Sequence, residues 1–159
     1  MEKKTYSLVV YTGSGLESLT DPDKELVEAS VEATKSAYAP YSAFRVGCAL
    51  RLENGMIVKG SNQENAAYPS GLCAERVAFF SAGSQYPGIR ILEAAITTSF
   101  PLHEPVAPCG ACRQVMAETE LRQNAPIRLI MTDPDGDFRI VENVISLLPM
   151  YFSGEWLKR

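Results

Sequence analysis

Cys73-Ala74-Glu75-Arg76-Val77-Ala78-Phe79-Phe80-Ser81-Ala82-Gly83 is the run on which the fold of this 159-residue chain turns. Gly71 precedes it, its alanines and aromatics suit a buried helix, and Gly83 reads as the stop. A second run, Pro108-Cys109-Gly110-Ala111-Cys112, has the same character. Proline fixes the backbone just before a helix expected over Gly110 to Leu121, with Val115 and Met116 as core residues. Cys109 and Cys112 are three apart and share one face of its first turn. Three thiols therefore stand at two helix starts, where partial positive charge and free N–H groups favour the thiolate that binds metal. Three sulfur donors with a carboxylate beside them meet the needs of a hydrolytic zinc site: three protein ligands, one position for water, and a base. Glu75 is two residues from Cys73, so on a helix the two point differently. It is better placed as general base than as ligand.

Other readings of the same residues stay open at this level. Cys109 and Cys112 could form a redox pair. Cys48 could close a purely structural zinc site as fourth ligand, which would exclude hydrolysis. Its pattern, Val46-Gly47-Cys48-Ala49-Leu50, suits a small buried thiol in a strand. Glu75 could simply stabilise a helix N-terminus, and Arg76 could be a surface arginine. Against that, three thiolates and one Zn²⁺ leave a net negative charge, which a guanidinium at Arg76 would offset.

Around these runs the chain reads as alternating strands and helices. Lys4 to Tyr11 is β-branched and aromatic and reads as a strand. Thr20-Asp21-Pro22-Asp23 opens a helix expected to reach about Tyr38, closed by Ala39-Pro40. Phe44 to Leu52 and Met56 to Gly60 form a hairpin about Asn54-Gly55. Further strands are expected over Ile89 to Thr98, Ile127 to Thr132 and Phe138 to Val141, then a small helix over Ile145 to Leu148. A hairpin followed by alternating elements implies a mixed sheet with helices on both faces, in one domain over residues 1–159.

Composition narrows the partners. Lys plus Arg is 15 and Asp plus Glu is 19, a net charge of -4. Without a basic run there is no electrostatic footprint for nucleic acid, so a small-molecule substrate is expected. No apolar run is long enough to span a bilayer, and Tyr6 to Tyr11 is too short for a signal-peptide core. The expectation is a cytoplasmic protein, in which four cysteines serve metal binding, catalysis or packing.

Cys-Ala-Glu at 73–75 followed by Pro-Cys-Gly-Ala-Cys-Arg-Gln at 108–114 resembles the cytidine deaminases of the small type with three cysteine ligands. Zinc deaminases acting on polynucleotides resemble a His-x-Glu version. Here Cys73 stands in place of that histidine, and the one histidine is His103. The resemblance covers about Leu26 to Phe152. It implies a three-layer α/β/α fold with a mixed sheet of about five strands, residues 1–19 being an N-terminal extension. It implies one Zn²⁺ per subunit on Cys73, Cys109 and Cys112, Glu75 as proton shuttle and Arg76 beside the ligands. It implies deamination of cytidine and deoxycytidine by a homotetramer. Asn62 and Glu64, in the family's Asn-x-Glu-Asn motif, are implied ribose binders, and the Ala74 N–H a donor to the base. Phe44 and Phe152 are implied aromatic walls, Phe152 reaching a neighbouring subunit's site. Ala66 and Tyr68 lie on a segment that resembles those crossing between subunits. The alternatives are a deaminase of a nucleoside antibiotic or modified nucleoside, and a non-catalytic zinc module.

Overall fold

The computed structural model describes residues 1–157. The chain forms β1 (Tyr11–Ser14), α1 (Asp21–Thr34), β2 (Val46–Leu52), β3 (Ile57–Ser61), α2 (Ala74–Gln85), β4 (Ile91–Thr98), α3 (Gly110–Gln123), β5 (Arg128–Thr132) and β6 (Asp137–Val141). Short 3-10 turns occupy Tyr68–Ser70 and Val144–Leu147. The strands make one mixed sheet in the order β1-β6-β5-β4-β2-β3. The pair β4–β5 is parallel and the remaining pairs are antiparallel.

Strand alternation sorts the core into two layers. Cys48 and Leu50 of β2 face α2 and α3, packing with Ala78, Phe79 and Met116. Ala49, Ala95 and Ile130 face the other way, against Leu26 and Val27 of α1. This is the three-layer arrangement expected. No helix among the described residues is long and apolar enough to cross a membrane.

Two close approaches set the helices on the sheet. A Cβ on Gly47 would lie 2.0 Å from the Ser30 carbonyl oxygen, so α1 rests directly on β2. A Cβ on Gly60 would lie 2.5 Å from the Ala78 nitrogen and 2.6 Å from the Ala74 oxygen. The first turns of α2 therefore sit on bare β3 backbone, where only glycine leaves room.

The structure corrects several expectations. The sheet has six strands rather than about five, because the N-terminal segment adds one at the edge. That strand is not Lys4 to Tyr11. It starts where the former ends, pairing Tyr11 with Ile140 and Ser14 with Asp137. In this antiparallel register Val141, the last residue of β6, stands opposite Val10, so the backbone before Val10 has no strand opposite it, whatever its β propensity. Within the N-terminal extension, Leu19 is buried in one cluster with Leu26 and Ile140. Helix α1 stops at Thr34 rather than near Tyr38. The Tyr38 amide donates to the Asn62 carbonyl (3.0 Å), and the Glu64 amide donates to the Tyr38 carbonyl (2.8 Å). Those peptide groups are thereby lost to the helix. Gly83 does not end α2, which continues through it to Gln85.

Candidate active site

Cys73 is the N-cap residue of α2 and Cys109 that of α3. Neither thiol bonds its own helix's N–H groups. They point instead toward each other. The Cys73 and Cys109 sulfurs are 3.9 Å apart, Cys109 and Cys112 3.5 Å, and all three lie within 4.8 Å of one another. Sulfurs bound tetrahedrally at about 2.3 Å from one zinc would be about 3.8 Å apart. The three thiols thus fit a single tetrahedral ion. Cys48 is not in this cluster but fully buried in β2. Its thiol is raised by burial and then by the Glu75 charge. A fourth cysteine ligand is therefore not at hand.

The electrostatics favour thiolate at Cys73. Its pKa falls to about 5, through hydrogen bonding with Cys112 and, against the cost of burial, with Arg76 and Cys109. Cys112 moves the opposite way, because it shares a proton with Cys73 and is buried beside Glu75. Arg76 donates to the Cys73 sulfur at 3.8 Å and to the Gly71 carbonyl at 3.4 Å. It therefore lies beside the thiol cluster, not on open surface. Its Nε is buried and has no hydrogen-bond partner among the described residues.

Glu75 stands in the first turn of α2, 6% exposed, on the strand-facing side with Ala74. Burial raises its pKa, only partly opposed by a backbone hydrogen bond. A carboxyl pushed toward neutrality can both accept and return a proton.

A cavity of about 500 Å³ opens beside Cys73 and Arg76. It is walled by Tyr41, Ser42, Asn62, Glu64 and Tyr68. Glu64 shapes this wall. It accepts the Tyr41 amide (2.9 Å), the Ser42 amide (3.3 Å) and the Ser42 hydroxyl. Those bonds, the Ser42 hydroxyl first, hold its carboxyl below the ordinary value. They also hold a turn in which Ala43 is left-handed, with φ 56°. Asn62 Oδ1 accepts the Val46 amide (2.8 Å) and its Nδ2 donates to the Phe44 carbonyl (2.7 Å). One N–H and one lone pair of the Asn62 amide remain for other partners.

Not all the residues singled out from sequence line the cavity. Phe44 is half-buried and stacks edge-on against Phe100, with ring centres 5.3 Å apart. Tyr68 does line it and meets Tyr41 edge-on at 6.1 Å. Ala66 and Phe152 are exposed and outside the lining. Phe152 lies on the C-terminal segment, tied to α3 through Gln114. Tyr41, which like Tyr68 resembles the family's subunit-crossing segments, lines the cavity; Ser42, Phe100 and Gln114 are additions that the motifs do not mark. The signal for Gln114 was its place two residues after a ligand cysteine.

Comparison with known proteins agrees with this geometry. Residues 20–125 match the family described as cytidine and deoxycytidylate deaminase zinc-binding region. A cytidine deaminase of Sporosarcina psychrophila is 43% identical over 132 residues, 83% of this chain and 92% of that protein. One from Halalkalibacterium halodurans is 41% identical over 130 residues, 82% of this chain and 93% of that protein. The crystal structure of cytidine deaminase from Burkholderia pseudomallei superposes with a TM-score of 0.72 at 42% identity, covering 81% of this chain and 98% of that one. That from Mycobacterium tuberculosis has a TM-score of 0.64 at 32% identity, covering 84% and 98%.

Proposed function

The chain belongs to the cytidine and deoxycytidylate deaminase family, and from that premise we propose that it is a zinc-dependent hydrolase converting cytidine and deoxycytidine, with water, to uridine and deoxyuridine plus ammonia. The observation that carries this reading is one juxtaposition: three sulfurs within 4.8 Å of one another, with the buried Glu75 carboxyl interacting with Cys73 and Cys112. A redox pair needs no third sulfur, and a structural zinc needs a fourth ligand, which the cluster lacks among the described residues.

Cys73, Cys109 and Cys112 hold the ion, one per subunit. When bound, zinc supplies the Lewis acidity that activates water for attack at C4 of the pyrimidine. Glu75 accepts the proton from that water and delivers it to N3. Attack at C4 gives a tetrahedral carbon, and Glu75 then carries a proton to the amino group as the C–N bond breaks. The Ala74 N–H, at the start of α2, donates to O2 of the base. Arg76 offsets the negative charge of three thiolates, which would otherwise oppose removal of the water proton.

Glu64 and the remaining N–H of Asn62 hold the ribose hydroxyls, and Phe44 flanks the base. Ala66, Tyr68 and Phe152 act across subunits of a homotetramer. Their exposure on the isolated chain supports this, since Tyr68 is 76% and Phe152 56% exposed. Three metal-binding thiols suit the reducing cytoplasm. One measurement tests the reading: loss of cytidine absorbance by protein whose zinc content is determined on the same sample. Zinc-loaded protein that leaves cytidine unchanged while deaminating another nucleoside would transfer the assignment to that substrate. Inertness toward every nucleoside would leave only a structural metal.

A further inference from the structure

The helix that carries Cys112 also grips the C-terminal segment, through the two residues that follow the cysteine. Arg113 donates from Nε to the Pro108 carbonyl (2.8 Å) and from Nη1 to the Leu147 carbonyl (3.1 Å). Gln114 donates from Nε2 to the Phe152 carbonyl (2.8 Å) and accepts the Phe152 amide on Oε1 (3.0 Å). The second pair closes a ring between a side-chain amide and the N–H and C=O of one residue, as in a rung of a β-ladder. It fixes both the position and the facing of residue 152. A third anchor comes from the same helix. The buried Glu120 carboxylate accepts the Val144 amide at 2.9 Å and the Ile127 amide at 2.8 Å. The segment from Val144 to Phe152 is thus tied to α3 at Val144, Leu147 and Phe152.

The Phe152 ring itself is exposed and outside its own chain's cavity. A held backbone under an aromatic side chain that is more than half exposed is the form of a presented contact: backbone ordering is already met before binding, so less is lost when the ring docks. We infer that Gln114 is a positioning residue, which sets the Phe152 ring of one subunit for the nucleoside site of a second copy. This rests on the cytidine deaminase reading above. It adds a residue that touches neither metal nor substrate, and it joins the ligand helix of one copy to substrate binding in another.

The test compares zinc-loaded wild type, Gln114→Leu, Phe152→Ala and the double variant. Leucine keeps the helix propensity, is one bond shorter, and removes both hydrogen bonds. Gln114→Leu should keep its zinc and its kcat, and raise KM for cytidine about ten-fold, the loss of two neutral hydrogen bonds. Hydrogen exchange of the amides in 147–153 should quicken. Gln114→Glu keeps the acceptor and loses the donor, so its KM should fall between. The double variant should be no worse than Phe152→Ala alone. An unchanged KM in Gln114→Leu, or effects that multiply in the double variant, overturns the role. Exchange unaltered by Gln114→Leu refutes the docking whatever the protein does with cytidine. Wild type inert toward cytidine sinks the enzymatic reading first, and is told apart by that control.

Discussion

Gly60→Ala tests how the fold delivers the site. The added methyl would meet the Ala78 nitrogen at 2.5 Å and the Ala74 oxygen at 2.6 Å. Both are backbone atoms of α2, so no side chain can swing aside. Relief to an ordinary contact near 3.4 Å requires α2 to withdraw from β3 by about 0.9 Å. Overpacking of this kind costs about 2 kcal/mol, or about 5 °C in Tm for a domain this size. The larger effect falls on the site. Cys73 caps α2 and moves with it, while Cys109 and Cys112 ride on α3. The sulfur trio opens on one side and Glu75 moves with Cys73. A shift near 1 Å in reacting groups lowers kcat about 100-fold. The assays are thermal unfolding, zinc titration against a competing chelator, and cytidine turnover at saturating zinc. Gly60→Ala with unaltered zinc affinity and turnover would refute the claim that the β3 contact seats the ligand helix.

Four further outcomes are expected. Glu75→Gln should retain zinc by elemental analysis and lose about 1000-fold in kcat, the scale of a lost general acid–base. Cys109→Ala should lose the metal and much of its thermal stability, because ligation and folding are coupled, read by metal content and calorimetry. Asn62→Leu should strand the buried Val46 amide and cost about 2 kcal/mol in denaturant unfolding, with a raised KM as Phe44 loosens. Asp23, buried under Arg128 with bonds of 2.5 and 3.2 Å, sets an acid limit on stability. Burial pushes its carboxyl up, but the Arg128 and Thr20 hydrogen bonds outweigh that and hold it below 3.8. A depressed carboxyl contributes stability that is present above the unfolded value and lost as pH falls through the folded one. Asp23→Asn should therefore flatten that part of the acid limb, measured by unfolding from pH 5 to pH 2.

The elements that were legible in the sequence are those with local causes. Thr20 caps α1 by accepting the Asp23 amide, with Pro22 in the first turn, as the residues imply. Gly55 takes the left-handed conformation that Asn54-Gly55 demands of the hairpin. Pro108 and the spacing of Cys109 and Cys112 set one thiol at the cap of α3 and one in its first turn. Capping, turn chemistry and i, i+3 spacing act within a few residues, so the string of letters alone sufficed for the helix starts and the hairpin.

What only tertiary structure decided depends on residues far apart in the chain. The first strand lies at Tyr11–Ser14 because that stretch pairs in register with Asp137–Ile140, residues more than a hundred positions away. The site meets because β3 and the two helix starts converge, bringing the Cys73 and Cys109 sulfurs within 3.9 Å across 36 positions. Asn62 and Glu64 show the same division. Their motif marked them for a ligand, yet the fold also uses them to hold Phe44 and the Tyr41–Ser42 turn. Gln114 reaches Phe152 across 38 positions. Hydrogen-bond partners of a side chain are set by what packing brings within about 3 Å, and no local pattern encodes that.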